Sequence, residues 1–173
     1  RRAVKEDVGR LWEICRGQTA EEFCLWGADL VYEYPPRLEQ MRRRFEALFG
    51  DAVLFAAECG GQVVGFAEIG ELDPAEKCGV LARVLLEKGR RGKGRGKELV
   101  NLVLDQAAGT LGLEEVKLIV YAGNLRAQRC YEACGFVRGK ALLRPGRPDA
   151  WWMRADLRER RGGSQPSQRL KGV

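Results

Sequence analysis

The most informative stretch of the sequence reads Arg90-Arg91-Gly92-Lys93-Gly94-Arg95-Gly96-Lys97. Glycines at alternate positions allow the backbone to turn tightly and to lie close to a ligand. An amphipathic helix is predicted over 94–108, so its first free N–H groups and the positive end of its dipole fall within this run. Because the run is also rich in arginine and lysine, it predicts a binding site for a pyrophosphate.

Two common phosphate-binding loops do not fit the spacing of this run. A nucleotide-triphosphatase loop, G-x-x-x-x-G-K-[ST], would start at Gly89, but Arg95-Gly96 stand where its lysine and hydroxyl residue belong. The dinucleotide motif G-x-G-x-x-G meets Lys97 or Leu99 at its third glycine. The pattern [QR]-x-x-G-x-[GA] does fit residues 91–96.

Hydrophobic periodicity predicts alternating strands and helices on both sides of the run. Strands are predicted at 1–4, 52–59, 62–71, 80–86, 115–121, 136–143 and 150–157, and helices at 6–15, after Thr19, at 37–48, 94–108 and 124–134. Three successive strands before the run favour antiparallel pairing, whereas the strand–helix–strand unit after it requires a locally parallel pair. We therefore expect one α+β domain with a mixed sheet.

Both flanks of the basic run resemble one protein family. Residues 86–96 resemble the junction V-x-P-x-x-R-G-x-G-x-G of the GNAT superfamily of N-acetyltransferases, with Lys88 where proline is common. Residues 124–136 resemble the family's N-x-x-A-x-x-x-Y-E-x-x-G-F motif through Asn124, Ala127, Tyr131, Glu132, Gly135 and Phe136. The two motifs stand in the family's order, separated by one predicted helix and one predicted strand.

The resemblance covers residues 1–157 and implies a single-domain GNAT-like α+β fold. Its mixed, mostly antiparallel sheet would have a splayed central parallel pair and be flanked by helices. Acetyl-CoA would be the co-substrate, no metal would be needed, and the loop would bind the pyrophosphate while the preceding strand takes the pantetheine arm. The residues so implied for acetyl-CoA are Val84, Leu85, Leu86, Arg91, Gly92, Lys93, Gly94, Arg95, Gly96, Lys97 and Asn124.

The resemblance also implies that Tyr131 is the general acid that protonates the departing CoA thiolate. A tyrosine pKa of about 10 and a thiol pKa of about 8.5 allow this transfer without large tuning. The alternative is a core tyrosine that packs its helix on the sheet. Asn124 is expected to contact the pantetheine or to cap the helix, and these roles are compatible. A backbone N–H at Leu85 or Leu86 could polarise the thioester carbonyl.

The sequence leaves the general base open. Glu68 is the first candidate, with Glu71 or water as alternatives, and Glu68 would have to face the cleft. Strand alternation places Glu68 on one face with Val64 and Phe66, and a salt-bridged or rim carboxylate is the competing interpretation. Ribosomal-protein alanine acetyltransferases of the superfamily carry a glutamate where this chain has Ile119, which argues against their mechanism and substrate here.

The reaction implied by the resemblance is direct transfer of acetyl to a primary amine of a small molecule or peptide. The chain has no histidine, which excludes Ser-His and Cys-His nucleophile pairs. Cys78 or Cys130 as an acetyl carrier stays open. A non-catalytic acyl-CoA-binding module is the competing function, and contact of the basic run with RNA or DNA is a more distant one.

Composition narrows the partners and the compartment. The net charge is +6, of which residues 158–173 carry +4, so the body is nearly neutral and a nucleic-acid-binding surface is not indicated. We expect residues 158–173 to be a basic flexible tail after a domain at 1–157. No apolar run approaches the roughly 18 residues of a membrane span. The six cysteines include no C-x-x-C pair, which favours a cytoplasmic protein with free thiols. A homodimer is compatible with the sequence.

Overall fold

The computed structural model describes residues 1–48, 51–143 and 145–162. The helices are α1 (Asp7–Arg16), α2 (Ala20–Leu25), α3 (Leu38–Ala47), α4 (Arg95–Gly109) and α5 (Leu125–Glu132). The strands are β1 (Ala52–Cys59), β2 (Gln62–Asp73), β3 (Cys78–Leu86), β4 (Glu115–Tyr121), β5 (Val137–Leu142) and β6 (Ala150–Asp156). Short 3-10 helices span Ala28–Leu30, Lys88–Arg90 and Arg158–Gly162.

The strands form one six-stranded sheet in the order β1-β2-β3-β4-β6-β5. Among its pairings only that of β3 with β4 is parallel, because α4 carries the chain across between these two strands. The parallel pair lies at the centre of the sheet. The predicted mixed α+β sheet is therefore confirmed. The strand predicted at residues 1–4 is instead a single bridge between Arg2 and Phe55 at the edge of the sheet.

The central parallel pair separates along its length. Residues 78–80 of β3 pair with residues 115–117 of β4, but β3 continues to Leu86 and β4 to Tyr121. The splayed pair that the family resemblance implied is thus present. The separation leaves a gap at the carboxyl ends of both strands, beside the N-terminus of α4.

A bulge in β2 corrects one prediction about strand faces. The register between β1 and β2 shifts after Ala57, next to Gly65. Gly65 is required there, since a Cβ at this position would lie 2.6 Å from the carbonyl oxygen of Leu85. The shift turns Val64 into the core beneath α4, whereas Phe66 packs in the core on the other side of the sheet. Val64 and Phe66 therefore do not share the face that regular alternation predicted.

Two apolar cores hold the helices on the two faces of the sheet. The larger core packs α4 onto the sheet through Val100, Leu104 and Ala107, all fully buried. The smaller core packs α1, α2 and α3 on the opposite face around Phe23 and Met41. Complete burial of each large apolar side chain contributes about 1.5–3 kcal/mol. Helices thus pack on both faces of the sheet, and the gap between β3 and β4 lies between the two cores.

The segment after β6 is described as far as residue 162. Arg158–Gly162, the first part of the predicted tail, forms a 3-10 helix beside α4. Arg160 fixes it there by donating hydrogen bonds to Asp105, Asn101 and the carbonyl oxygen of Cys134, at 2.9, 2.9 and 3.2 Å. Residues 163–173 of the predicted tail lie outside the described residues. Within the described part of the chain, no helix is both long and apolar enough to cross a membrane.

Candidate active site

The gap between β3 and β4 opens into a cleft of about 470 Å³. Its walls are residues 80–84 of β3, residues 119–121 of β4, parts of α2, α3 and β2, and the first turns of α5. The cleft brings together Val84, Asn124, Tyr131, Glu68 and Glu71, which lie far apart in the sequence. A volume of this size is typical of sites for small ligands.

The basic glycine loop lies beyond the end of β3 and outside the walls of this cleft. Gly92, Lys93 and Gly94 have φ values of 84°, 49° and 80°, so three successive residues take a left-handed conformation. The backbone turns sharply there, and glycine is needed at position 94, where α4 begins without a side-chain cap. Among the described residues, nothing accepts a hydrogen bond from the N–H of Gly96 or Lys97. These groups are therefore available to an anion at the helix N-terminus.

The cationic side chains of the loop differ in their partners. Arg91 lies 3.2 Å from a carboxylate oxygen of Glu22 on α2, and Lys88 contacts the other oxygen at 2.9 Å. A hydrogen bond from the backbone N–H of Thr19, together with these contacts, lowers the pKa of Glu22 to about 2. Arg95 pairs with Glu98 at 3.3 Å.

Two other lysines of the loop carry their charge without such a partner. Lys93 and Lys97 form no ion pair with any residue that the structure describes. Because they have no carboxylate partner, Lys93 and Lys97 are the lysines of the loop most available to phosphate.

The backbone of Leu86 presents a donor to the gap. Glu87 donates its N–H to Val64 at 2.9 Å, and Leu86 is paired with Gly65 in the register of β2 and β3. Because bonded and non-bonded pairs alternate in an antiparallel ladder, the N–H and C=O of Leu86 point away from β2. The carbonyl accepts a hydrogen bond from Arg91 Nε at 2.8 Å. The N–H thus faces the gap, while the Leu85 and Leu86 side chains are buried in the two cores.

Tyr131 lines the cleft from α5. Its ring is half-buried and packs edge-on against Phe136, at 5.7 Å between ring centroids. Tyr131 therefore packs on the core and also reaches the cleft. Burial raises the pKa of Tyr131 above its ordinary value, with smaller contributions from the neighbouring Cys130 and Cys134. The hydroxyl therefore holds its proton at neutral pH, as a general acid must.

Asn124 connects α5 with α2. Its side-chain oxygen accepts a hydrogen bond from the N–H of Ala127 at 3.2 Å, which is the predicted helix cap. Its amide nitrogen donates to the carbonyl of Leu25 at 3.2 Å. Asn124 thus positions one wall of the cleft against another.

Glu68 lies in the cleft wall between two arginines. Arg44 donates to both carboxylate oxygens at 2.9 Å, and Arg83 donates through Nε at 2.7 Å and through Nη2. The carboxylate is nearly fully buried, and its lone pairs are occupied by these bonds. A carboxylate in this state has no free oxygen lone pair for an amine proton, so the geometry disfavours the predicted role of Glu68 as general base.

Two other acids in the cleft have open carboxylates. Glu71 and Asp51 are exposed and line the cleft, and neither forms an ion pair or hydrogen bond within the described residues. Glu71 lies at a register shift of β2 and β3, with a φ of 48°. The shift turns Glu71 out of the regular alternation of the strand. Glu71 was a predicted alternative base, whereas Asp51 was missed because it follows a helix end and belongs to no motif.

Arg44 and Arg83 were also missed by sequence reasoning. Arg83 did carry a signal, since it is the one charged residue of the apolar strand Cys78–Leu86. Arg44 carried none, because it follows Arg42 and Arg43 in a charged helix and only the fold directs it inward.

The two cysteines considered above as acetyl carriers, Cys78 and Cys130, do not line the cleft. Within the described residues, no group of three or more His, Cys, Asp or Glu side chains could hold a metal ion.

Comparison with known proteins identifies the fold and the family. A family model described as the acetyltransferase (GNAT) family matches residues 14–136. Spermidine N-acetyltransferase from Vibrio cholerae, solved with CoA and spermine, matches with a TM-score of 0.75 at 19% identity, over 90% of this chain and 93% of its own. AAC(6')-Ib, solved with ribostamycin and coenzyme A, matches with a TM-score of 0.76 at 22% identity, over 92% and 93%. No curated protein is similar enough in sequence to be matched.

Proposed function

The chain belongs to the acetyltransferase (GNAT) family, and we propose that it transfers acetyl from acetyl-CoA directly to a primary amine. The observation that carries this proposal is the cleft itself, in which the splayed strands β3 and β4, Tyr131 and open carboxylates meet. Spermine and ribostamycin, bound in the two structural neighbours, are amines, which supports the same class of acceptor.

Acetyl-CoA would bind along the loop and the gap. The free N–H groups at Gly96 and Lys97 would hold the pyrophosphate, with Lys93 and the Lys97 side chain adding charge. The pantetheine arm would extend along β3 past Val84. The N–H of Leu86 faces the gap, where it could bond the arm or, near the thioester, polarise its carbonyl oxygen.

Tyr131 would act as the acid of the reaction. Attack by the amine nitrogen forms the new C–N bond, and collapse of the tetrahedral intermediate breaks the C–S bond. The proton of the Tyr131 hydroxyl would then pass to the CoA sulfur, leaving free CoA, and the second proton that the nitrogen loses as the amide forms would restore the hydroxyl through solvent. A half-buried tyrosine with a raised pKa is protonated at the start of each cycle, which suits this role.

Glu71 would remove the proton of the incoming ammonium, directly or through a water molecule. Its carboxylate is open to the cleft, unlike that of Glu68, whose oxygens are bonded to Arg44 and Arg83. An amine is a nucleophile only after it loses this proton, and an amine with a pKa of about 10.4 is almost fully protonated at pH 7. The base is therefore as necessary as the acid.

The test of the proposal is release of CoA thiol from acetyl-CoA with a panel of primary amines. We expect release that depends on both substrates and no release with RNA or DNA in place of the amine. If acetyl-CoA raises the melting temperature but no amine in the panel accelerates thiol release, the chain is an acyl-CoA-binding module instead.

We also propose a cytoplasmic location and assembly with a second copy of the chain, without nucleic-acid or membrane partners. Six free cysteines support a reducing compartment.

The outer edge of β5 is unpaired within the six-stranded sheet, and an unpaired edge favours pairing with another chain. A structural neighbour from Vibrio cholerae, 19% identical with a TM-score of 0.71, is dodecameric. Light scattering of the purified chain would measure its assembly.

A further inference from the structure

The cluster of Arg44, Glu68 and Arg83 leaves one positive charge without compensation in the cleft. Glu68 is the one acid within ion-pair distance of either arginine among the described residues. Tyr32 packs against the guanidinium of Arg44 at 5.9 Å, and burial raises its pKa to about 12, so it is neutral at pH 7. Two positive charges therefore face one negative charge.

Several donors of the two arginines are also unused. Glu68 occupies Nη2 of Arg44 and both Nε and Nη2 of Arg83. Nε of Arg44 is buried without a hydrogen-bond partner, and Nη1 of both arginines bonds to no described group. An unpaired charge away from water is costly unless it is compensated. An incoming anion would supply the missing charge and would accept hydrogen bonds from the Nη1 groups, since the buried Nε of Arg44 is out of its reach.

The open acids of the same cleft lie apart from this cluster. Asp51 and Glu71 line the cleft but lie beyond ion-pair distance of Arg44 and Arg83. The cleft thus offers a positive region with free guanidinium donors and a separate negative region with free carboxylates. A ligand that matches both regions carries an ammonium and a carboxylate.

We infer that the acceptor amine also carries a carboxylate, as an amino acid does, and that Arg44 and Arg83 bind this group. The inference rests on the proposed acetyl transfer and specifies its substrate class. Glu68 is then a positioning residue, which holds both guanidinium groups in the cleft wall. Arginine suits this task because its planar donor array matches a carboxylate.

The test compares amino acids with the amines that lack only the carboxylate. The pairs are L-lysine with cadaverine, L-ornithine with putrescine, and L-phenylalanine with phenethylamine, and spermine is included as a polyamine. We expect kcat/KM to be about 10–100-fold higher for at least one amino acid than for its matched amine, the range for charge-assisted hydrogen bonds. Equal or better use of all the decarboxylated amines and of spermine would overturn the inference while leaving acetyl transfer intact.

Variants of α3 test whether Arg44 is responsible. Arg44→Gln should lower the ratio of kcat/KM between amino acid and matched amine by about tenfold or more. Arg43→Gln is the matched control, because the neighbouring Arg43 is exposed and forms its one ion pair within the described residues with Glu39, at 3.9 Å. It should keep the wild-type ratio. An unchanged ratio in Arg44→Gln contradicts the assignment, and if this variant does not fold, the wild-type comparison decides.

One outcome separates this inference from the function on which it rests. If no amine of either kind releases CoA although acetyl-CoA still protects the fold against heat, then acetyl transfer itself is wrong. If amines without a carboxylate are acetylated well, only the inference about the acceptor is wrong.

Discussion

Tyr131 combines two properties that single residues seldom share. Its ring packs on Phe136 at the core, which the alternative interpretation required, and it also lines the cleft, which catalysis requires. Burial raises its pKa, so it stays protonated through the range in which an acetyltransferase would work. The two interpretations of this residue are therefore compatible.

Tyr131→Phe should lower kcat by about a hundredfold, which is typical for loss of a general acid. The affinity for CoA should stay nearly unchanged, since Tyr131 lines the cleft and is not part of the phosphate loop. In the wild type, the raised pKa of Tyr131 places the loss of its proton above pH 10, so kcat should not fall between pH 7 and about 9.5 through this group. Steady-state rates and CoA titration measure both effects; an unchanged kcat removes Tyr131 from the mechanism.

Glu71→Gln should slow the reaction at pH 7 by about a hundredfold and much less at pH 10. At pH 10 about a third of an amine with a pKa of about 10.4 has already lost its proton, so the rate depends much less on a base. Glu76→Gln is the control, because Glu76 is an exposed acid in the turn after β2 and does not line the cleft. A loss that is equal at both pH values would argue against Glu71 as the base.

Glu68 should behave as a structural residue in the same experiment. Removing its charge leaves two arginines without their partner, and breaking a buried ion pair costs about 3–5 kcal/mol. Glu68→Gln should therefore lower the melting temperature, whereas Glu71→Gln should not. A stable Glu68→Gln protein whose activity recovers at high pH would return the base to Glu68.

At the scale of elements, the loop and α4 form one anion-binding unit. Left-handed residues 92–94 direct the chain so that α4 begins with free N–H groups. Gly94 begins the helix with a φ of 80°, which an alanine adopts at a cost of about 1–3 kcal/mol. The geometry of this turn therefore controls the affinity for CoA.

Gly94→Ala should weaken CoA binding about tenfold, because the strain displaces the N–H groups that meet the phosphates. Gly89→Ala is the matched control, since a Cβ there meets nothing within 4 Å and its φ is not left-handed. Isothermal titration with CoA compares the two. If both variants bind CoA as the wild type does, the turn is not part of the site.

The loop and the α5 motif could be predicted from sequence because both are local. Gly92, Gly94, Asn124 and Tyr131 stand at fixed spacings along continuous segments, and the backbone of those segments determines what they do. The bulge at Gly65 could be suspected but not resolved, because it depends on the close approach of β3. The pairing of Glu68 with Arg44 and Arg83 joins α3, β2 and β3, so no spacing along the chain indicates it.

At the scale of the whole molecule, the splayed sheet is the feature that creates the site. Parallel pairing of β3 and β4 ends after Val80, and the two cores hold the strands apart beyond it. The segment after β6 belongs to this frame, because Arg160 bonds to α4 and to the end of α5. We therefore expect residues 158–162 to contribute to the stability of the folded unit.

Arg160→Ala should destabilise the protein by about 1–2 kcal/mol, since it removes half-exposed hydrogen bonds that include a charged pair. For a chain of this size the melting temperature should fall by about 2–4 °C for each kcal/mol. Arg158→Ala should have little effect, because among the described residues the exposed side chain of Arg158 bonds only to Asp156, two residues away. Equal melting temperatures for Arg160→Ala and the wild type would show that residues 158–162 are not part of the folded unit.

Direct transfer of acetyl within the cleft is tested most directly by mass spectrometry of a single turnover. The enzyme, in excess, is mixed with acetyl-CoA and an accepted amine, and the masses of the enzyme, the amine and CoA are followed together. We predict one acetylated amine for each CoA released, with no acetyl group on the enzyme at any time. An acetylated enzyme that forms before the product and decays into it, or CoA release without an acetylated amine, would contradict the mechanism.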